Sequence, residues 1–165
     1  MNGGFAGAYP FVHSKEGQGV YFKDIDDNTF LDFASQIASN PLGYNHPELK
    51  EVIKQYRKAP IKYAGQDFIV EEHLNLIKEL TSITPPGLNA AFLTNSGAEA
   101  VENSLKLALR KQKQAKYGIS FEGAFHGRTL GALSLTNSKS IQKQNFFSIP
   151  TKRLPFSEQA IEKLE

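Results

Sequence analysis

Two short runs, residues 92–102 and 121–131, concentrate the residues able to bind an anionic ligand. In the first, apolar residues lead into a turn of small side chains, Ser96, Gly97 and Ala98, and then into a helical pattern. Small residues let a ligand approach the backbone amides of a helix N-terminus, which carry partial positive charge. That is a cradle for phosphate or carboxylate. Ser96 followed by Glu99 is also a capping box: the serine oxygen accepts from the Glu99 amide, and the glutamate reaches back to the Ser96 amide. A well-started helix accounts for that pair without any ligand, so the turn alone leaves both readings open. In the second run Phe125, His126 and Arg128 stand among glycines. The Phe125 ring can stack on a flat ligand, and Arg128 can grip a carboxylate through two parallel hydrogen bonds. Singly, each has a bland reading as a buried ring, a histidine satisfied by backbone, or a solvated arginine. Beside the anion turn they point to a flat anionic ligand.

Several sharper motifs are absent. A phosphate-binding P-loop needs Gly-Lys-Ser/Thr after its first glycine, and none occurs. A dinucleotide fingerprint needs three spaced glycines, and Gly17 and Gly19 are neither preceded by a strand nor completed. A nucleophile elbow needs glycines where this chain has Thr94 and Ala98. Asp24, Asp26 and Asn28 imitate the start of a calcium loop. The glycine and glutamate that such a loop requires further on are replaced by Thr29 and Ser35, so a turn is expected instead.

The elements that must position these residues alternate along the chain. Residues 1–16 read as an arm or loop. Residues 20–23 and 29–33 are rich in aromatic and β-branched types and flank turn formers, which predicts a hairpin. Leu49, Val52, Ile53 and Tyr56 recur at helical spacing, as do Leu74, Ile77 and Leu80. Strand 90–93, helix 99–112 and strand 118–121 then predict a βαβ unit with a parallel sheet. In such a sheet both turns lie at the C-terminal ends of strands, where ligands bind. Residues 136–153 are polar and basic, and 157–165 read as the first turns of a helix. A pattern that stops there looks incomplete.

Composition narrows the class. The chain has 165 residues, 40% hydrophobic and 22% charged, which is ordinary for a globular domain. Zero cysteines exclude a disulfide framework, a thiolate metal site and thiol catalysis. A net charge of +2 offers no pull on nucleic acid, and Arg110, Lys111, Lys113 and Lys116 read as solvated cations at a helix C-terminus. No signal peptide or membrane-spanning run is present, so a cytoplasmic protein is expected.

The segments 95–100 and 123–131, with 32–38 and 42–47 upstream, resemble the class III pyridoxal-phosphate aminotransferases, which include the acetylornithine, ornithine and 4-aminobutyrate enzymes. The resemblance covers most of residues 15–136. It implies the α/β architecture of the N-terminal part of a fold type I transferase. Residues 1–47 would supply an arm and small-domain segment, and 48–165 the first, incomplete part of the large domain. Pyridoxal 5'-phosphate is the implied cofactor. Gly97 and Ala98 resemble the backbone donors to its phosphate, with Ser96 beside them. Phe125 resembles the aromatic that stacks on its ring, with His126 adjacent. Arg128 resembles the arginine for a substrate carboxylate, and Ile37 falls in the segment lining the substrate entrance. Gln36 and Tyr44 depart from the glycine and histidine that many members carry there. None of the 15 lysines sits in the context of the family's Schiff-base lysine. The resemblance therefore implies transfer of an amino group from an ω-amino acid or (acetyl)ornithine-like donor to 2-oxoglutarate, by a homodimer or with a C-terminal companion segment. This chain alone is expected to be inactive. The alternatives are a non-catalytic cofactor- or anion-binding module and a related amino-acid racemase.

Overall fold

The computed structural model describes residues 12–58 and 69–162. The chain folds as two compact units that divide between Val70 and Glu71. In the first, Val12–Gln18 (β1), Tyr21–Asp24 (β2) and Thr29–Leu31 (β3) form an antiparallel sheet in the order β1-β2-β3. The expected hairpin is β2–β3. Phe22 lies opposite Phe30, their rings stack with centroids 5.3 Å apart, and such a cross-strand aromatic pair favours one register. The turn closes on Asp24. Its Oδ1 accepts from the amides of Asp26 (3.0 Å) and Asn28 (2.9 Å), and its Oδ2 accepts from Asn28 Nδ2 (2.9 Å). The Asn28 side chain, with those amides, holds the Asp24 carboxyl below the ordinary carboxylate range. The acidic spacing serves a turn.

Strand β1 corrects the reading of an arm up to residue 16; residues 1–11 lie outside the described residues. Its sequence, Val-His-Ser-Lys-Glu-Gly-Gln, shows no alternation of apolar and polar types. Pairing with β2 makes it a strand, through a register shift between Val12 and Gly17.

After β3 the backbone makes a four-residue turn, Ser35–Ala38 (α1), that winds left-handed. The φ angles are 47° at Ser35, 50° at Gln36, 60° at Ile37 and 59° at Ala38. That hand costs an L-residue roughly 1–2 kcal/mol per position, so neighbouring groups must hold it. Asp32 accepts from the amides of Ala34 (3.0 Å) and Gln36 (3.1 Å) and from the Tyr44 hydroxyl (2.8 Å). The Tyr44 bond is the main reason the Asp32 carboxyl sits below its usual range. Burial, then Asp32, pushes the Tyr44 hydroxyl up. Ser35 Oγ adds a bond to the Asn40 carbonyl at 2.7 Å. Helix Pro47–Lys58 (α2) follows, with its predicted stripe of Leu49, Val52, Ile53 and Tyr56 exposed.

The second unit contains Glu71–Ile83 (α3), Gly97–Lys111 (α4), Gly118–Phe121 (β4), Leu130–Leu135 (α5), Thr151–Leu154 (β5) and Gln159–Glu162 (α6). Strands β4 and β5 pair in parallel, Gly118 with Thr151 through Phe121 with Leu154. A parallel crossover is present, but it runs through α5, one element later than expected. Residues 90–93 are assigned to no strand, because no neighbour hydrogen-bonds to them among the described residues. Phe92 there is 74% exposed. Helix α5, Leu-Gly-Ala-Leu-Ser-Leu, is apolar apart from Ser134, and Gly131, Ala132, Leu133, Ser134 and Leu135 are buried. Ala132, Leu133 and Leu135, with Leu154 and Ala160, form the core.

Strand β5, Thr-Lys-Arg-Leu, reads as surface in the sequence. Arg153 in fact turns inward to the C-terminal end of α5. Its guanidinium donates to the Leu135 carbonyl and Ser120 Oγ, and to the carbonyls of Ser134 (2.6 Å) and Thr136 (3.3 Å). Burial disfavours its charged form and pulls the guanidinium pKa down from the ordinary arginine value. Replacing it with methionine (Arg153→Met) strips these acceptors of their donor and should destabilise this unit by about 2 kcal/mol. A urea melt followed by circular dichroism reads that loss, and Arg153→Lys should recover part of it.

Candidate functional site

Helix α4 starts where its sequence says it should. Ser96 is the N-cap, in extended conformation, and its Oγ accepts from the Glu99 amide at 3.2 Å. The return bond lands one residue earlier than the capping box predicts: Glu99 Oε2 accepts from the Asn95 amide at 2.8 Å. The amides of Gly97 and Ala98 find no acceptor among the described residues, and they point out of the helix end as donors.

The second turn reaches this helix end by close approach. Gly127 is buried with φ of 125°. A Cβ built on it would lie 2.7 Å from Ala98 Cβ and 3.1 Å from Ala132 Cβ. Only glycine lets residues 125–129 pack against both α4 and α5. The result is a cleft of about 740 Å³ lined by both turns, with Gly97, Ala98, Phe125, His126 and Arg128 among its walls. These five predicted site residues are thus brought together. Ser96 does not line the cleft; its hydroxyl is committed to the cap. Ile37 belongs to the first unit, on the left-handed turn α1, where it is 92% exposed.

Within the cleft Phe125 is half-exposed, with the Arg128 guanidinium carbon 6.0 Å from its ring centroid. Two residues that sequence reasoning did not single out fix the turn. Thr136 is fully buried; its Oγ1 accepts from the His126 amide (2.9 Å) and bonds the Gly127 carbonyl (2.9 Å). Glu102, one turn along α4 from Ala98, reaches across to α5. Its Oε1 accepts from the amides of Gly131 (2.8 Å) and Ala132 (3.1 Å). The Thr129 side chain, then those amides, hold its carboxyl below the ordinary glutamate value, against the opposing effect of burial. A glutamate one turn into an amphipathic helix reads as surface. Only the fold shows that it faces a second helix end.

The cleft suits a phosphate by its donor set. Two free amides stand at a helix N-terminus, and no carboxylate is among the lining residues. A Cβ on Gly97 would meet nothing within 4 Å, so the space above those amides is open. No helix among the described residues is long and apolar enough to cross a membrane.

An α/β unit whose turns converge on a helix N-terminus is the architecture of the fold type I pyridoxal-phosphate transferases, and solved members superpose on it. A transaminase from the marine bacterium Virgibacillus matches with a TM-score of 0.81 at 26% identity, over 97% of this chain and 38% of that one. An adenosylmethionine-8-amino-7-oxononanoate aminotransferase from Methanocaldococcus jannaschii matches with a TM-score of 0.80 at 28% identity, over 96% and 37%. Residues 6–165 match the family described as aminotransferase class-III, and the chain belongs to that family. It is 40% identical to the acetylornithine aminotransferase of Haemophilus ducreyi, over 79% of this chain and 34% of that protein. It is 31% identical to the mitochondrial 4-aminobutyrate aminotransferase of Mus musculus, over 88% and 35%. The chain spans about a third of the length of these curated relatives.

Two tests follow from the geometry. Gly127→Ala forces the two turns apart and should destabilise the unit by about 2 kcal/mol or more, whereas Gly97→Val, facing open space, should stay within about 0.5 kcal/mol of wild type. Thermal melts of the two variants check this ordering. The second test is acidification. The folded Glu102 carboxyl is depressed below its unfolded value of about 4.3, so its stabilisation is present above that value and lost as pH falls through the folded one. Glu102→Gln should flatten this part of the acid limb in a pH series of urea melts.

Proposed function

We infer that this cleft holds pyridoxal 5'-phosphate, and that the chain contributes to an enzyme moving an amino group from an ω-amino acid or (acetyl)ornithine-like donor to 2-oxoglutarate. The observation that carries the reading is the convergence of Gly97, Ala98, Phe125 and Arg128 on one cleft in a chain of this family. The names of the relatives, acetylornithine and 4-aminobutyrate aminotransferases, support the donor class.

Each residue has a role set by its chemistry. The Gly97 and Ala98 amides hold the phosphate, which a helix N-terminus favours as a dianion. The Phe125 face supports the ring and keeps water from that side, with His126 next to it. Arg128 orients the donor or acceptor through its carboxylate. The family resemblance assigns Ile37, on the first unit, to the segment that lines the substrate entrance in such enzymes. The cofactor, when bound, supplies the electron sink that makes the proton on the amine-bearing carbon removable.

Moving that proton takes a basic lysine, and none of the 15 lysines stands in the matching motif context. The chain alone therefore binds and orients without turning over. In the whole enzyme, residues 1–47 supply an arm and part of a small domain, residues 48–165 begin the large one, and the active form is a homodimer in the cytoplasm.

Fluorescence titration with pyridoxal 5'-phosphate tests the binding half. Saturable binding is expected, lost in Gly97→Val and kept in Arg128→Ala. Equal binding by wild type and Gly97→Val would remove the phosphate cradle from the reading. Incubation of the chain with cofactor, 4-aminobutyrate or acetylornithine, and 2-oxoglutarate should yield no glutamate. Glutamate formation by the chain alone would overturn the assignment of it as non-catalytic.

A further inference from the structure

The two halves of the cleft come from different elements, and one side chain ties them. Gly97 and Ala98 sit at the start of α4, while residues 125–129 lead directly into α5. Glu102 is on α4, and its carboxylate takes two amides at the start of α5. The approach is close: a Cβ on Gly131 would overlap that carboxylate. On the other side Leu133 N bonds the Thr129 carbonyl (2.6 Å), so the end of the turn is continuous with the helix that Glu102 holds. The His126 amide is meanwhile tied through Thr136 Oγ1, which also bonds the Ala132 carbonyl (3.1 Å). The turn's position relative to α4 thus depends on where Glu102 places the first residues of α5.

We propose that Glu102 is a positioning residue for the cleft: by capping α5 from α4, it sets the gap between the Gly97–Ala98 amides and the Phe125–Arg128 wall, and with it the affinity for a phosphate-bearing ring. This rests on the reading that the cleft takes such a cofactor. Geometry at a site is unforgiving, since a displacement of about 1 Å can cost of order 100-fold. Glu102 meets the wall only at Thr129, the last residue of the turn, and bonds no group of Gly97, Ala98, Phe125 or Arg128 among the described residues, so its effect on those ligand-facing groups is indirect.

The test compares Glu102→Ala with Glu102→Gln in the full chain by two readouts. Amide hydrogen exchange at His126, Gly131 and Ala132 reports position without any ligand. Titration with pyridoxal 5'-phosphate and with inorganic phosphate reports the cleft. In Glu102→Ala those amides should lose protection, and pyridoxal 5'-phosphate should bind at least about tenfold more weakly. Inorganic phosphate, which needs only the α4 amides, should bind within about threefold of wild type. Glu102→Gln keeps an acceptor and should restore most of both signals. Unchanged protection at the three amides in Glu102→Ala overturns the proposal whatever the ligand does. Lost protection with unchanged cofactor affinity also overturns it, leaving Glu102 a structural cap. If wild type binds neither ligand, the reading of the cleft fails. The capping of α5 by Glu102 is then still decided by exchange, and its role in affinity falls with that reading.

Discussion

Helix α5 is six residues long and almost wholly buried, which creates a problem that the rest of the second unit answers. So short a helix leaves most of its amides and carbonyls without intrahelical partners, and leaving them unpaired in a core costs about 1–3 kcal/mol each. The chain resolves this with one charge at each end. The Glu102 carboxylate takes amides at the start of α5, and the Arg153 guanidinium takes the carbonyls of Ser134, Leu135 and Thr136 at its finish. Anion at the N-terminus and cation at the C-terminus is also the arrangement that the helix dipole favours. The two charges come from α4 and β5, so satisfying α5 fixes the helix before it and the strand after it.

That constraint reaches the cleft. Once α5 is placed, Gly127 has to pass between Ala98 and Ala132 with no room for a Cβ. Residues 125–129 are held at the start of α4, and Thr136 locks the same turn from beneath with one hydroxyl shared among three backbone groups. The wall of the cleft is a consequence of capping a buried helix. It needs no separate scaffold.

The parts of this arrangement visible in the sequence are those with local signals. The β2–β3 hairpin, α2, α4 and β4 follow from turn formers, apolar period and an N-cap, all read within a few residues. The Ser96 cap and the grouping of Gly97, Ala98, Phe125, His126 and Arg128 were legible because small residues and glycines mark close approach. Strands β1 and β5 were not legible. Each is a polar run made into a strand by a neighbour, and for β5 the arginine that reads as surface is the cap of α5. Residues 90–93 fail in the opposite direction. They have strand composition, but a strand exists only through its hydrogen-bonding neighbours. Glu102 is silent for the same reason as Arg153, since its partner lies 29 residues away in sequence.

The left-handed turn α1 in the first unit carries the same lesson from backbone conformation. Gln36 stands where the family resemblance leads one to expect glycine, and its φ of 50° lies in the region that glycine enters without a Cβ penalty. A glutamine there is tolerated because Asp32 accepts its amide and Tyr44 holds Asp32 in place. Tyr44 is the other departure from the resemblance. The two unusual residues therefore meet at one carboxylate, and each makes structural sense beside the other. Substituting Tyr44 removes a side-chain partner from Asp32, whereas the bond from residue 36 is donated by its backbone amide and survives any change of side chain except to proline. Asp32 and Tyr44 thus hold with hydrogen bonds a turn where a glycine would have used conformational freedom.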